Sequence, residues 1–185
     1  MKLDKILIAL ALFGAVSCSS SKEATVATAD QSIDIEVPCG GLEFTTSAEY
    51  FRANASGISN SLEISKQKAM TAARQQLALS MEATVKTVTD SYVSSYEENA
   101  NEEARSRYQG LTREAAKQTL TGIRTICQKV KQAPDGKYTT YVAIELAGTE
   151  LLNQIQNQIS DDSKLRTDFE YEKFKAVFEE EMANL

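Results

Sequence analysis

Three patterns along the chain predict an α+β fold. Met70, Ala73, Leu77, Met81, Val85, Val88, Tyr92 and Tyr96 recur every three or four positions, laying one apolar stripe along a long helix from Leu62 to about Glu98. Two alternating runs, Ile123–Lys131 and Lys137–Leu146, flank Pro134-Asp135-Gly136. Proline fixes φ, aspartate bonds locally and glycine takes positive φ, so this tripeptide predicts a hairpin. Tyr171, Phe174, Phe178, Met182 and Leu185 form a second helical stripe, heavily aromatic.

The chain opens differently. Lys2 and Lys5 precede an uncharged run, Ile6–Val16. Eleven residues fall short of the roughly 20 that a membrane-spanning helix needs, but suit the apolar region of a signal peptide. Ala15-Val16-Ser17-Cys18 follows at once and has the form of a lipobox, the signal at which a bacterial lipoprotein is acylated on sulfur and cleaved before the cysteine. The expectation is therefore a signal peptide over residues 1–17, lipidation at Cys18, and a membrane anchor made of acyl chains. Each buried methylene contributes about 0.8 kcal/mol, so two or three chains hold permanently. Ser19, where an aspartate would favour the inner membrane, makes the outer membrane the expected location, on its periplasmic or its external face.

Residues 18–31 are rich in Ser, Thr and Ala and are expected to form a flexible tether of roughly 20 Å root-mean-square reach. A domain is expected over residues 32–160. Ile33-Asp34-Ile35-Glu36-Val37 alternates cleanly and predicts a short edge strand or an extended arm, stopped by Pro38 and turned at Gly40-Gly41. Glu49–Ile58 predicts a strand with Tyr50, Arg52, Asn54 and Ser56 on one side, and Asn60 or Ser61 caps the long helix after it. Ala69, Ala72, Ala73 and Ala78 give that helix a narrow face able to approach a sheet. Asn99–Asn101 breaks it. A second helix starts at Asn101-Glu102-Glu103, is weakened at Gly110, and ends at Thr121-Gly122. After the hairpin come a helix over Glu150–Ile159 and, in a C-terminal segment of residues 161–185, an amphipathic helix from about Lys164 to Asn184. Its aromatic face must dock on the body or on a second copy.

Composition narrows the chemistry. The chain has 185 residues, a formal charge of −6 and no histidine. The negative charge argues against nucleic acid as a partner. Without histidine there is no Ser-His-Asp triad, no Cys-His pair and no His-ligated zinc. Removal of residues 1–17 leaves a charge of −7, so the lipid rather than a basic surface would hold the body at the membrane. Glu97-Glu98, Glu102-Glu103, Asp161-Asp162 and Glu179–Glu181 lack calcium-loop spacing and suit solvated helix faces. No phosphate loop, dinucleotide fingerprint or nucleophile elbow is present. The expectation is a protein with no catalytic, cofactor-binding or metal site. Two readings stand for Cys39 and Cys127: a disulfide in an oxidising compartment, or Cys127 as a small buried hydrophobe.

Tyr50-Phe-Arg-Ala-Asn-Ala-Ser-Gly-Ile-Ser59, followed by Ala69-Met-Thr-Ala-Ala-Arg-Gln-Gln-Leu-Ala78, is similar to the motif of the Lpp-twenty family of bacterial lipoproteins. Gly136-Lys-Tyr-Thr-Thr-Tyr-Val-Ala-Ile144 resembles that family's hairpin. The resemblance covers roughly residues 48–147. It departs at Ala55, where the family has glycine, in a long helical insertion over about residues 90–120, and in the extra last helix. It implies a long helix packed on a three-stranded antiparallel sheet in β-α-β-β order, similar to dodecin-like folds, with added C-terminal helices and no established catalytic residues. The functional expectation is a lipid-anchored envelope protein acting as a protein-binding or structural adaptor, through an envelope partner or self-association. The alternative is a small-ligand or cell-wall-binding module using Tyr50, Tyr138 and Tyr141.

Overall fold

The computed structural model describes residues 35–95, 102–163, 165 and 169–185. Strand β1 (Tyr50–Ser59) leads into helix α1 (Leu62–Ser94) and helix α2 (Glu102–Thr119), which ends in one 3-10 turn. Strands β2 (Arg124–Gln132) and β3 (Tyr138–Ala147) form the hairpin, and helices α3 (Gly148–Asp161) and α4 (Tyr171–Ala183) follow. The sheet order is β1-β3-β2, antiparallel throughout, so β3 is central and β1 and β2 are edges. This is an α+β fold with the long helix laid on a three-stranded sheet.

Alternation decides which side chains face α1. Phe51 and Ala53 of β1 and Val142, Ile144 and Leu146 of β3 are buried on that side. Ser65, Ala69, Ala73 and Leu77 come down onto them from the first half of α1, and all four are fully buried. Small side chains let helix and sheet approach closely. A Cβ on Gly57 would lie 2.5 Å from both the Ala69 amide nitrogen and the Ser65 carbonyl oxygen. The buried Ser65 and Thr140 hydroxyls satisfy each other at 2.7 Å.

A 33-residue helix is about 50 Å long, whereas a ten-residue strand spans about 33 Å. The second half of α1 therefore overhangs the sheet, and α2 and α4 pack against it. Tyr92, fully buried, is the hub: its ring meets Tyr108, Phe169 and Phe174 edge-on at 5.3–5.9 Å, and its hydroxyl accepts a hydrogen bond from the Glu170 amide. Thr89 donates to Thr112 at 3.2 Å between α1 and α2. Phe174, Phe178 and Met182 of α4 join the same core as the sheet, with the Phe178 ring 6.5 Å from that of Phe51. The aromatic stripe thus docks on the chain's own body.

Several expectations need correction. Of the two forms expected for this segment, Ile35–Val37 takes the arm and not the strand; Ile33 and Asp34 lie outside the described residues. The turn predicted at Gly40-Gly41 falls at Val37–Gly40, closed by the Gly40 amide on the Val37 carbonyl. Helix α2 runs through Gly110 without a break, and the open position leaves only glycine's lower helix propensity to weaken it. Helix α3 begins at Gly148, directly from β3, whose last residue Ala147 is its N-cap. The last helix starts at Tyr171, after Asp162 has capped α3 and accepted a hydrogen bond from the Leu165 amide. No helix among the described residues is long and apolar enough to cross a membrane.

Candidate interaction surface

The face of the sheet turned away from α1 holds the chain's concentrated polar chemistry. Register fixes its rows. Arg52, Glu145 and Arg124 form one row; Asn54, Ala143 and Cys127 the next; Ser56, Tyr141 and Lys129 the third; Ile58, Thr139 and Lys131 the last. A bulge between Thr125 and Cys127 makes this parity, since it returns Cys127 to the same face as Arg124.

Residues 35–49 fold back over this face as an arm. The structure joins Cys39 to Cys127 by a disulfide, with Cα atoms 5.7 Å apart. Cys39 is buried, its sulfur 3.8 Å from the Tyr141 carbonyl oxygen, and it takes φ of 57°, a region usually left to glycine. The arm explains why Ala143 and Glu145 are buried on a face that no helix covers.

Glu145 is held on both sides. Arg52 Nε lies 3.1 Å from one carboxylate oxygen and an Arg124 terminal nitrogen 2.8 Å from the other. Both guanidinium groups also lie over the Tyr50 ring, at 5.1 and 6.0 Å from its centre. Two cations on one carboxylate leave this corner positive, and Lys129 and Lys131 extend the positive charge along β2. Lys131 stands 5.9 Å from the Tyr141 ring centre.

The two edges of the sheet are finished differently. On β1 the chain itself takes the outward backbone groups at the two ends of the strand, while those of Asn54 and Ser56 between them have no partner among the described residues. Ser47 exchanges hydrogen bonds with Tyr50 at 2.9 and 3.3 Å, the Thr46 hydroxyl bonds both the amide and the carbonyl of Arg52, and Lys68 Nζ donates to the Ile58 carbonyl. On β2, among the described residues, no backbone hydrogen bond runs to anything but β3. Beside this edge, Ile35–Val37 and Glu43 of the arm face Lys129, Val130 and Lys131 across an open cleft of about 750 Å³. Val130 is 42% exposed, Ile35 80% and Val37 50%.

Register puts Tyr50 and Tyr141 on the outer face and Tyr138 on the other, opposite Ser59 and Gln132. The tyrosines do not converge: Tyr50 pairs with Ala147 and Tyr141 with Ser56, six positions apart along β1. That separation, about 20 Å, gives them no common concave site. Cys18 lies outside the described residues. The Arg52–Glu145–Arg124 arrangement was missed. Its signal was a lone carboxylate in a strand otherwise made of apolar, aromatic and hydroxyl side chains, and without the register no partner could be named. Among the described residues no three Cys, Asp or Glu side chains gather as a metal would require. Comparison of the chain with family models, with curated proteins and with solved structures gives no match.

Proposed function

We propose that this chain is a lipid-anchored protein of a bacterial envelope, held at the outer membrane through Cys18, and that it acts without catalysis as an adaptor for a protein partner. Kinship with the Lpp-twenty lipoproteins belongs to the same proposal, resting on the Tyr50–Ser59 and Ala69–Ala78 segments and the hairpin after Gly136. The anchor reading rests on the apolar run Ile6–Val16 and the small residues before Cys18.

The observation that carries the adaptor reading is the unequal finish of the sheet. One edge is held at both ends by Ser47, Thr46 and Lys68, while the other offers a nine-residue strand with no such contact along its length, beside exposed lysines. The groups of the outer face with chemical potential are spent on structure: Cys39 and Cys127 on each other, Glu145 on two arginines. What remains suits contact rather than bond making.

Two measurements test the reading. Cys18→Ala should move the protein from the membrane to the soluble fraction; retention at the membrane would count against lipidation. A photo-crosslinking residue placed in intact envelopes at position 50 on the outer sheet face, at exposed Leu79 of α1, or at position 130 of β2 should give an adduct with another protein from at least one of them. Absence of adducts from all three would end the adaptor reading.

A further inference from the structure

We infer that the free edge of β2 is a docking site for an extended strand of a partner protein in which acidic and apolar residues alternate. This rests on the adaptor reading and names the chemistry of its partner. An antiparallel sheet edge with unpaired peptide groups binds an added strand through main-chain hydrogen bonds, and its alternating side chains set specificity. The side chains of β2 dictate that specificity. Lys129 and Lys131 lie on the outer face, each with an uncharged neighbour on β3, Tyr141 and Thr139. No carboxylate occurs between Arg124 and Gln132. Val130 lies between the two lysines on the opposite face and stays 42% exposed, beyond the cover of α1. An incoming strand of the pattern acid–apolar–acid therefore sets its carboxylates against Lys129 and Lys131 and its apolar residue against Val130.

The same charges argue against a second copy as the occupant. Pairing β2 with β2 would bring Lys129 and Lys131 of both copies onto one sheet face without a carboxylate in either strand. The arm forms the far wall of the cleft and brings Ile35 and Val37 to the space where the added strand would lie, together with Glu36 and Glu43, the chain's own carboxylates across from Lys129 and Lys131, with which they form no ion pair. The disulfide keeps that wall in place.

The test uses the full chain, solubilised in detergent, and a synthetic peptide, Ser-Ile-Asp-Ile-Glu-Val, which copies residues 32–37 and has the required alternation. Hydrogen exchange is followed by mass spectrometry with and without the peptide. The expected result is at least a tenfold slowing of exchange within Arg124–Gln132 and no change in α3. Replacing both acids of the peptide by lysine should abolish the slowing. The double variant Lys129→Glu and Lys131→Glu should reverse the preference and respond to the lysine peptide, an outcome that also shows the variant is folded. Three results of the exchange experiment overturn the inference: no slowing at peptide concentrations up to about 1 mM; protection, without peptide and at every protein concentration, of the β2 amides that do not bond to β3, which assigns the edge to the chain's own residues; or protection of those amides that grows with protein concentration alone, which assigns it to a second copy. Envelope crosslinks from position 50 or 79 but not 130 would leave the adaptor reading intact and remove this one.

Discussion

Gly57 of β1 lies against the backbone of α1 at Ala69, with room for a hydrogen and no more. A methyl group there would meet the Ala69 nitrogen and the Ser65 carbonyl oxygen at 2.5 Å and the Lys68 Cβ at 2.7 Å. Backbone cannot step aside as a side-chain tip can. Gly57→Ala should therefore destabilise by about 3 kcal/mol or more, through displacement of α1 from the sheet. Gly110→Ala is the contrasting case: nothing lies within 4 Å of the added carbon, and the position is inside α2. That change should stabilise by about 0.5–1 kcal/mol. Urea denaturation of the two variants reads opposite signs if the contact at Gly57 is as close as described.

The disulfide closes a separation of 88 residues. Restriction of the unfolded chain by a loop of that length corresponds to about 4–5 kcal/mol at most. Cys39 at φ 57° returns about 1–2 kcal/mol of this as backbone strain. Reduction, or Cys39→Ser with Cys127→Ser, should thus cost roughly 2–4 kcal/mol in a denaturation experiment. Limited proteolysis should then cut within residues 35–45 of the reduced protein and spare the oxidised one.

Phe178 tests whether the last helix is structural. It is 3% exposed and its ring stands edge-on to Phe51 of β1. Phe178→Ala should cost about 3–5 kcal/mol of stability. A helix that served as an exposed docking strip would lose partner binding at unchanged stability, so thermal melting of the purified variant separates the two roles.

In the hairpin turn the Lys137 ammonium donates to the Asp135 carboxylate at 2.7 Å, and the Lys137 amide adds a second bond at 3.0 Å. The side-chain bond, then the backbone bond, hold the Asp135 carboxyl below the usual carboxylate range, and Asp135 raises the Lys137 ammonium above its usual value. The aspartate's contribution is present above its unfolded pKa and fades as pH falls through the lowered folded value. The lysine's is present below its unfolded pKa and fades as pH rises through the raised folded value. Carboxyl-carbon NMR should find Asp135 titrating below an unstructured aspartate, and Lys137→Met should move it back up.

Elements with a strong period were legible in the chain. The stripe from Met70 to Tyr92 fixed α1 and its buried face, and Ser61 is its N-cap as one of two candidates. The hairpin's faces follow from alternation alone. Misreadings fell where local pattern lost to long-range partners. Ile35-Glu36-Val37 alternates like a strand, yet Val37 runs into a turn whose geometry is set by a bond to Cys127, far away in sequence. The last helix begins at Tyr171 and not near Lys164, and Phe169 packs against Tyr92. The interaction surface was only half readable: the Tyr50–Arg52 side and the Tyr141–Glu145 side were each assigned a face, but their pairing depends on the β1–β3 register, which no single strand encodes.

Where the arm is fastened also decides how the body bears load. Any pull transmitted along the chain from before Cys39 reaches the fold through sulfur at Cys127, inside β2, and bypasses the ten residues that lead into β1. Tension is then shared with the β3 ladder instead of peeling β1 from its end, so the crosslink serves as a strain relief, like the clamp where a cable enters its housing.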